Sequence, residues 1–242
     1  LFLVRQKKKF EIYFIGFLFI FVDVLIYLSG ERTAFFFLNL STIFIIILIK
    51  DYQKFRLATF IIAIICISII SLNSSNLTDR MFKSPAENLG LIESTKEPTI
   101  FTETHDSLVR TAYNMFLDKP ILGHGPKMFR VKCKDHQSKY FHGCSTHPHN
   151  FLLQILSETG IIGLIFYLTM FYFIISELAG NFNNFRNNKR NDYIQNICLV
   201  TFFINLFPFV PAGNIFNNWL SIIFYFPFGF YLYQTRLKIG IN

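Results

Sequence analysis

The stretch that decides the fold covers residues 145–176 and reads STHPHNFLLQILSETGIIGLIFYLTMFYFIIS. In it, a short polar loop with two histidines, His147 and His149, passes directly into a long apolar run. A run of about 20 mostly apolar residues is long enough to cross the hydrocarbon core of a bilayer as a helix. The sequence therefore predicts a transmembrane helix over about 150–176, with a histidine-bearing loop at its N-terminal end.

The whole chain has the composition of an integral membrane protein. Of its 242 residues, 52% are hydrophobic and 18% aromatic, with 32 phenylalanines. This content is too apolar for a soluble domain of that size. The predicted fold class is all-α: a polytopic integral membrane protein with about six transmembrane helices. The predicted spans are 10–29, 34–50, 57–72, 150–176, 193–210 and 216–234, with one large polar loop at 73–149.

Basic residues in the short connections predict the orientation. Lysines and arginines cluster within 5–9, 50–56, 186–190 and 236–238, and these clusters share one side if every span crosses once. Cytoplasmic loops carry the excess of Lys and Arg. We therefore expect both ends to be cytoplasmic and the 73–149 loop to face outward.

The outward-facing loop contains a predicted amphipathic helix and two cysteines. Residues 105–117 place apolar side chains on one face and Arg110 on another, and Pro120 ends the pattern. Cys133 and Cys144 predict a disulfide in an oxidising compartment, closing a loop of about 12 residues and contributing roughly 3 kcal/mol. The alternative is a zinc site, whose spacings match no known zinc pattern. Its ligands would be Cys133, His136, His142, Cys144 and His147.

His149 is the candidate for acid–base chemistry. Pro148 suits the first turn of the span that follows, which would put His149 near the positive end of the helix dipole. That position lowers the pKa of the imidazole and keeps the ring neutral, as a general base requires. His147 would point about 200° away on a helix, so we do not expect the two to share a ligand. The alternative is that His149 caps the helix or anchors it at the membrane interface.

Small and acidic residues follow the histidine in the same span. Gly160 and Gly163 predict close approach by another helix. Glu158 is a carboxylate inside an apolar run, and such groups are costly in a membrane unless they face protein or water. We expect a buried hydrogen bond from Glu158 to a neighbouring helix.

Arg32 and Arg110 both fall on the predicted outward side. Guanidinium groups bind phosphates through charge-assisted and often bidentate hydrogen bonds, so the two residues are candidates for a pyrophosphate site. The alternative for each is a local ion pair: Glu31 beside Arg32, and Asp106 four residues before Arg110.

Several of these motifs together resemble one known family. His149-Asn150, nine residues and then Gly160-Ile161-Ile162-Gly163 resembles the signature of the bacterial O-antigen ligase family. The stretches 29–33, 120–126 and 208–219 are similar to the same family. We interpret 1–242 as an O-antigen ligase-like membrane domain that corresponds to the C-terminal half of such proteins.

The resemblance implies an inverting, metal-independent glycosyltransferase of the bacterial inner membrane, which would act on the periplasmic side. It would take a glycan from undecaprenyl pyrophosphate in the bilayer and attach it to the lipid A-core of lipopolysaccharide or to another glycan acceptor. If the family's functional residues correspond to the matching positions of this sequence, His149 would activate the acceptor hydroxyl. Arg32 and Arg110 would then stabilise the pyrophosphate, and Asn150 would help to bind substrate. No cofactor, bound metal or nucleic-acid partner is implied.

Two other functions compete with this interpretation. An O-antigen polymerase would use the same lipid-linked donor but extend the glycan. A transporter or another non-enzymatic membrane protein belongs to a different class and would line a path through the spans with ionisable residues. Asp23 and Glu158 are too few for such a path, and the polar chemistry gathers at one surface.

Overall fold

A computed structural model describes residues 9–88, 103–137, 143–187, 192–208 and 211–239. These residues form helices and contain no strand. In chain order the helices are α1 (Lys9–Ser29), α2 (Arg32–Leu48), α3 (Gln53–Asn73), α4 (Ser75–Thr78), a π-helical turn (Asp79–Lys83), α5 (Ser84–Asn88), α6 (Glu103–Asp118), α7 (Phe129–His136), α8 (Phe151–Arg186), α9 (Tyr193–Asn205) and α10 (Asn218–Ile239).

The helix lengths confirm an all-α membrane protein. Within the described residues, α1, α3 and α8 are long and apolar enough to cross a membrane. Two shorter helices, α2 and α9, are also apolar. The number of crossings and their orientation stay predictions, and α10 covers most of the sixth predicted span.

The chain divides into two compact units. The first contains Leu1–Pro98, Glu177–Ile204 and Phe230–Asn242. In it, α1 packs closely on α3 at Gly16, where a Cβ atom would come within 2.6 Å of the Phe55 ring. Asn39 of α2 donates a hydrogen bond to the buried carboxylate of Asp23, 3.1 Å away, which gives that residue a partner the sequence did not identify.

A tight turn joins α1 to α2 and presents the first candidate arginine. Gly30 has φ 71°, and a Cβ atom there would lie 2.7 Å from the side chain of Arg80. Arg80 also donates from Nε to the carbonyl of Gly30 at 3.2 Å. The turn therefore requires glycine, and it places Arg32 at the exposed first position of α2.

The second unit contains Thr99–Ser176 and Asn205–Gly229. The predicted amphipathic helix forms α6, whose buried face includes Leu108 and Met115. This face packs against Phe129 and Cys133 of α7. Cys133 is joined to Cys144 by the expected disulfide, with the sulfur atoms 2.22 Å apart. A disulfide sulfur is not a thiolate ligand, so this pairing removes both cysteines from the alternative zinc site.

The helix α8 is broken at Gly160, where φ is 65° and ψ is −160°. A Cβ atom at this position would collide with the backbone of Ile121. The amide of Ile161, just after the break, donates to the carbonyl of Pro120 at 2.8 Å. The prediction that Gly160 allows close approach by another helix is therefore wrong. The absence of a side chain at Gly160 instead lets the backbone of the turn after α6 pack directly against α8.

The same turn satisfies the carbonyl groups that the break leaves free. Amides of His124 and Gly125 donate to the carbonyls of Ser157 and Glu158 at 3.2 and 2.8 Å. Carbonyls at a helix end have no partner within the helix and must find one elsewhere. The amides of the turn therefore supply the hydrogen bonds that the helix lacks at the break. Phe151–Thr159 forms a separate helical segment before the apolar remainder of α8.

A histidine cluster as the candidate active site

The histidine loop precedes α8 and is not part of it. Since α8 begins at Phe151, the prediction that Pro148 and His149 lie in its first turn is wrong. Asn150 caps the helix instead, because its Oδ1 accepts a hydrogen bond from the amide of Leu153 at 3.1 Å. His149 has φ 56°, in the left-handed region that non-glycine residues seldom adopt. The alternative role of His149 as a helix cap is therefore wrong as well.

The tail before α10 holds the histidine loop in this shape. The amide of Ala212 donates to the carbonyl of His149 at 2.9 Å, and Nε2 of His147 lies 3.2 Å from the carbonyl of Ala212. Asn150 donates from Nδ2 to the carbonyl of Pro208 at 2.8 Å. Both polar atoms of the Asn150 amide thus have protein partners, and its substrate-binding role stays a prediction.

A buried glutamine extends this attachment. Gln154 is fully buried in the first segment of α8 and donates from Nε2 to Asn214 Oδ1 at 2.8 Å and to Glu158 Oε2 at 3.1 Å. Its Oε1 accepts from the amide of Ile215 at 3.2 Å. Because buried polar groups are costly without partners, these bonds determine how the tail lies on α8.

The carboxylate of Glu158 ends the network at the start of α7. It is fully buried and accepts hydrogen bonds from the amides of Lys127 at 2.9 Å and Phe129 at 2.8 Å. Free amides at a helix N-terminus favour an anion. The expected buried hydrogen bond to a neighbouring helix is confirmed, because Phe129 is the first residue of α7, and Lys127 and Gln154 are further partners.

Three imidazole rings meet at the histidine loop. The ring centroids of His147 and His149 are 4.1 Å apart, and His105 of α6 lies 6.1 Å from His149 in an edge-on arrangement. The prediction that His147 and His149 diverge is wrong because it assumed a helix. Sequence reasoning also overlooked His105, since nothing in its local pattern marks it as close to residue 149.

The environment favours neutral imidazole. Burial lowers the pKa of His149 below its ordinary value, and repulsion from His105 lowers it further. Burial also lowers the pKa of His147, with His149 as the next cause. The predicted direction for His149 is therefore confirmed, but burial rather than a helix dipole is the main cause.

One ring nitrogen of His149 is available for chemistry. Nε2 lies 3.3 Å from the hydroxyl oxygen of Ser145. Within the described part of the chain, Nδ1 has no hydrogen-bond partner. A neutral ring that carries its proton on Nε2 would expose a lone pair at Nδ1, as a general base requires.

The two candidate arginines have different surroundings. Arg110 donates from Nε to Asp106 at 2.6 Å, so the local ion pair forms, although 63% of its side chain stays exposed. Arg32 is exposed, and its side chain has no hydrogen-bond or ion-pair partner among the described residues. The alternative pairing of Arg32 with Glu31 is therefore wrong. Arg32 belongs to the first unit and Arg110 to the second.

Apolar helices and a histidine loop held by buried polar groups define a membrane-embedded protein with a candidate acid–base site. A family model described as O-antigen ligase matches residues 15–168, which is more than half of the chain. The chain belongs to the O-antigen ligase family. This match includes the histidine loop, both candidate arginines and the break in α8.

Relatives with curated names agree with the family. The chain is 32% identical over 97 residues to a protein of Rickettsia conorii named "Putative polysaccharide ligase RC0486". It is 35% identical over 89 residues to a similarly named protein of Rickettsia typhi. These matches cover 38% and 34% of this chain and 22% of each relative. No solved structure matches the chain. Family and names together indicate a ligase-type membrane enzyme.

Proposed function

We propose that this chain is the catalytic part of an O-antigen ligase. It would transfer a glycan from undecaprenyl pyrophosphate to a hydroxyl group of lipid A-core, on the periplasmic face of the bacterial inner membrane. The observation that carries this proposal is the half-buried ring of His149, which directly precedes the apolar helix α8 and whose Nδ1 has no hydrogen-bond partner among the described residues. Membership of the O-antigen ligase family supports the reaction class.

His149 acts as the general base in this proposal. Its Nδ1 takes the proton of the acceptor hydroxyl as the oxygen attacks the anomeric carbon of the donor sugar. A new carbon–oxygen bond forms on one face while the bond to the pyrophosphate breaks on the other, so the configuration inverts. Proton transfer to a positioned base contributes typically 10²–10⁴-fold to rate.

Arg32 and Arg110 stabilise the departing pyrophosphate in this proposal. Negative charge grows on the leaving group in the transition state, and preorganised cations lower its energy most at that point. The exposed side chain of Arg32 is open to a ligand, and 63% of the Arg110 side chain is exposed. The guanidinium groups neutralise the charge in this reaction without a metal ion at the reacting centre.

Asn150 and Gln154 position the base, and in this proposal Asn150 also contributes to substrate binding. Their side-chain amides connect the histidine loop and α8 to the tail 208–215. The acceptor and the lipid-linked donor remain the proposed partners, with the bilayer presenting the donor beside the loop.

The test is glycan transfer from an undecaprenyl-pyrophosphate donor to purified lipid A-core in proteoliposomes. We expect one transfer by the wild-type protein and loss of transfer in His149→Ala. His142→Ala is the matched control, because it removes another histidine of the same predicted periplasmic loop. Folding of each variant is checked by gel filtration and by the retained disulfide.

The products also separate the competing functions. A growing ladder on the lipid carrier would identify a polymerase. Normal transfer by a folded His149→Ala variant would remove the proposed base. Absence of any product from the wild-type protein would favour a different acceptor or a non-enzymatic role.

A further inference from the structure

We propose that Asp118, His124 and His136 form a binding site for one divalent transition-metal ion, with zinc as the best fit. Within the described residues, these three offer ligand atoms that all lie within 4.8 Å of one another. They come from the end of α6, from the glycine turn after it and from the last turn of α7. The site is separate from the histidine loop and takes no part in the proposed transfer.

Two of the three distances between ligand atoms match a tetrahedral ion. Oδ2 of Asp118 lies 3.4 Å from Nε2 of His124 and 3.4 Å from Nε2 of His136. Two ligands that are each about 2.0–2.1 Å from a tetrahedral zinc ion are about 3.3–3.4 Å apart. Small side-chain adjustments would therefore let a zinc ion occupy the space between the three atoms.

The hydrogen bonds of His136 prepare it as a ligand. Its Nδ1 lies 2.9 Å from the carbonyl of Lys132, so the ring proton resides on Nδ1. The Nε2 lone pair then faces the carboxylate of Asp118, an unfavourable pairing unless a proton or a cation lies between them. Most metal-binding histidines are oriented in this way by a second partner on the other nitrogen.

His124 supplies the third ligand after a change of tautomer. Its Nε2 donates to the carbonyl of Met115 at 2.9 Å. Coordination moves that proton to Nδ1, and the ring remains neutral.

The site is accessible and would connect three parts of the loop. The side chain of Asp118 is 52% exposed, so an ion can enter and keep a water molecule as its fourth ligand. The turn that carries His124 also completes the break at Gly160. A bound ion would therefore join α6 and α7 to the turn that supports α8.

The test is zinc binding by the full chain, purified with a tag that contains no histidine. Equilibrium dialysis against ZnCl2 measures the stoichiometry and affinity of the wild-type protein and of four variants. We expect one zinc ion per chain and a loss of affinity of at least about 100-fold in Asp118→Asn and in His136→Gln. Asp135→Asn, which changes an exposed neighbour, and His149→Ala should bind as the wild type does.

Three results would overturn the proposal. Wild-type protein that retains no more zinc than Asp118→Asn has no such site. Zinc that is lost in His149→Ala but kept in His136→Gln belongs to the histidine loop instead. A wild-type thermal midpoint that zinc does not raise, or raises equally in His136→Gln, would exclude binding to the folded loop, since an ion that binds only the folded state must stabilise it.

Discussion

At the residue scale, the character of His149 depends on its neighbours rather than on its place in a helix. The ring is half-buried, His105 lies close to it, and Ser145 faces one nitrogen. Burial and the nearby His105 lower the pKa of His149 and so favour the neutral imidazole, and no group in the described part of the chain bonds to Nδ1. They also make the chemistry of His149 sensitive to the charge of His105.

Replacement of His105 by asparagine should shift the pH dependence of transfer. Because repulsion from His105 lowers the pKa of His149, its removal raises that pKa and moves the acid limb of the kcat/KM profile to higher pH. Lys134→Gln removes a positive charge elsewhere on the loop and should leave the limb in place. An acid limb that does not move in His105→Asn would show that this limb does not report His149.

Replacement of Arg32 by lysine should greatly reduce transfer. Lysine keeps the charge but cannot form the planar, bidentate contact with phosphate oxygens that guanidinium forms. Transfer rates at saturating donor measure the effect, with Arg236→Lys on the opposite predicted side of the membrane as the control. Wild-type rates in Arg32→Lys would leave Arg32 without a role in leaving-group stabilisation.

At the element scale, the break in α8 is the feature that shapes the site. Gly160 separates a short buried segment from the apolar remainder of the helix, and the turn after α6 fills the gap. The segment 151–159 carries Gln154 and Glu158, which hold the tail and the start of α7. The break thus lets one helix both enter the membrane and organise the polar loop.

Substitution of Gly160 by alanine should destabilise the protein. The left-handed conformation costs a non-glycine residue about 1–3 kcal/mol, and the new Cβ would also collide with the backbone of Ile121. We expect a lower thermal midpoint in detergent together with reduced transfer. Gly180→Ala in the same helix is the control: its Cβ would meet nothing within 4 Å, and alanine favours a helix. Equal midpoints for the two variants would contradict the proposed role of the break.

At the scale of the whole molecule, buried histidines link stability to pH. The pKa values of His124, His147 and His149 all lie below 6.5 because burial disfavours the charged ring. In the unfolded chain these rings take up protons near pH 6.5, whereas in the folded chain they resist protonation. Falling pH therefore stabilises the unfolded state relative to the folded one.

The thermal midpoint should consequently fall as the pH drops below about 6.5 and should change little above about 7.5, where the rings are neutral in both states. Scanning fluorimetry in detergent between pH 5 and pH 8.5 measures this dependence. The variant His147→Asn should show a shallower slope. A midpoint that rises on acidification would contradict the burial of neutral rings.

Local sequence patterns were enough to predict the class of the protein and many residues of its candidate site. Long apolar runs can be recognised from the local sequence alone, and they predicted membrane-spanning helices. The lengths and compositions of α1, α3 and α8 confirm these predictions. The periodicity of 105–117 predicted α6, because helical periodicity is also a local property. The presence of two cysteines in one loop predicted the disulfide between Cys133 and Cys144. The signature around His149 likewise identified the family that the comparisons show.

The way in which these residues come together depends on contacts between distant segments of the folded chain. The conformation of the histidine loop depends on hydrogen bonds to Ala212 and Pro208, which are distant in the chain, and Gln154 bonds to Asn214 across 60 residues. No local pattern encodes such contacts. The sequence therefore predicted a helical conformation for His149, whereas this residue lies in a loop and has a left-handed backbone conformation. The proximity of His105 to His149 and the filling of the Gly160 break by the turn after α6 have the same origin. Buried polar groups must find partners, and the folded chain supplies them from remote segments.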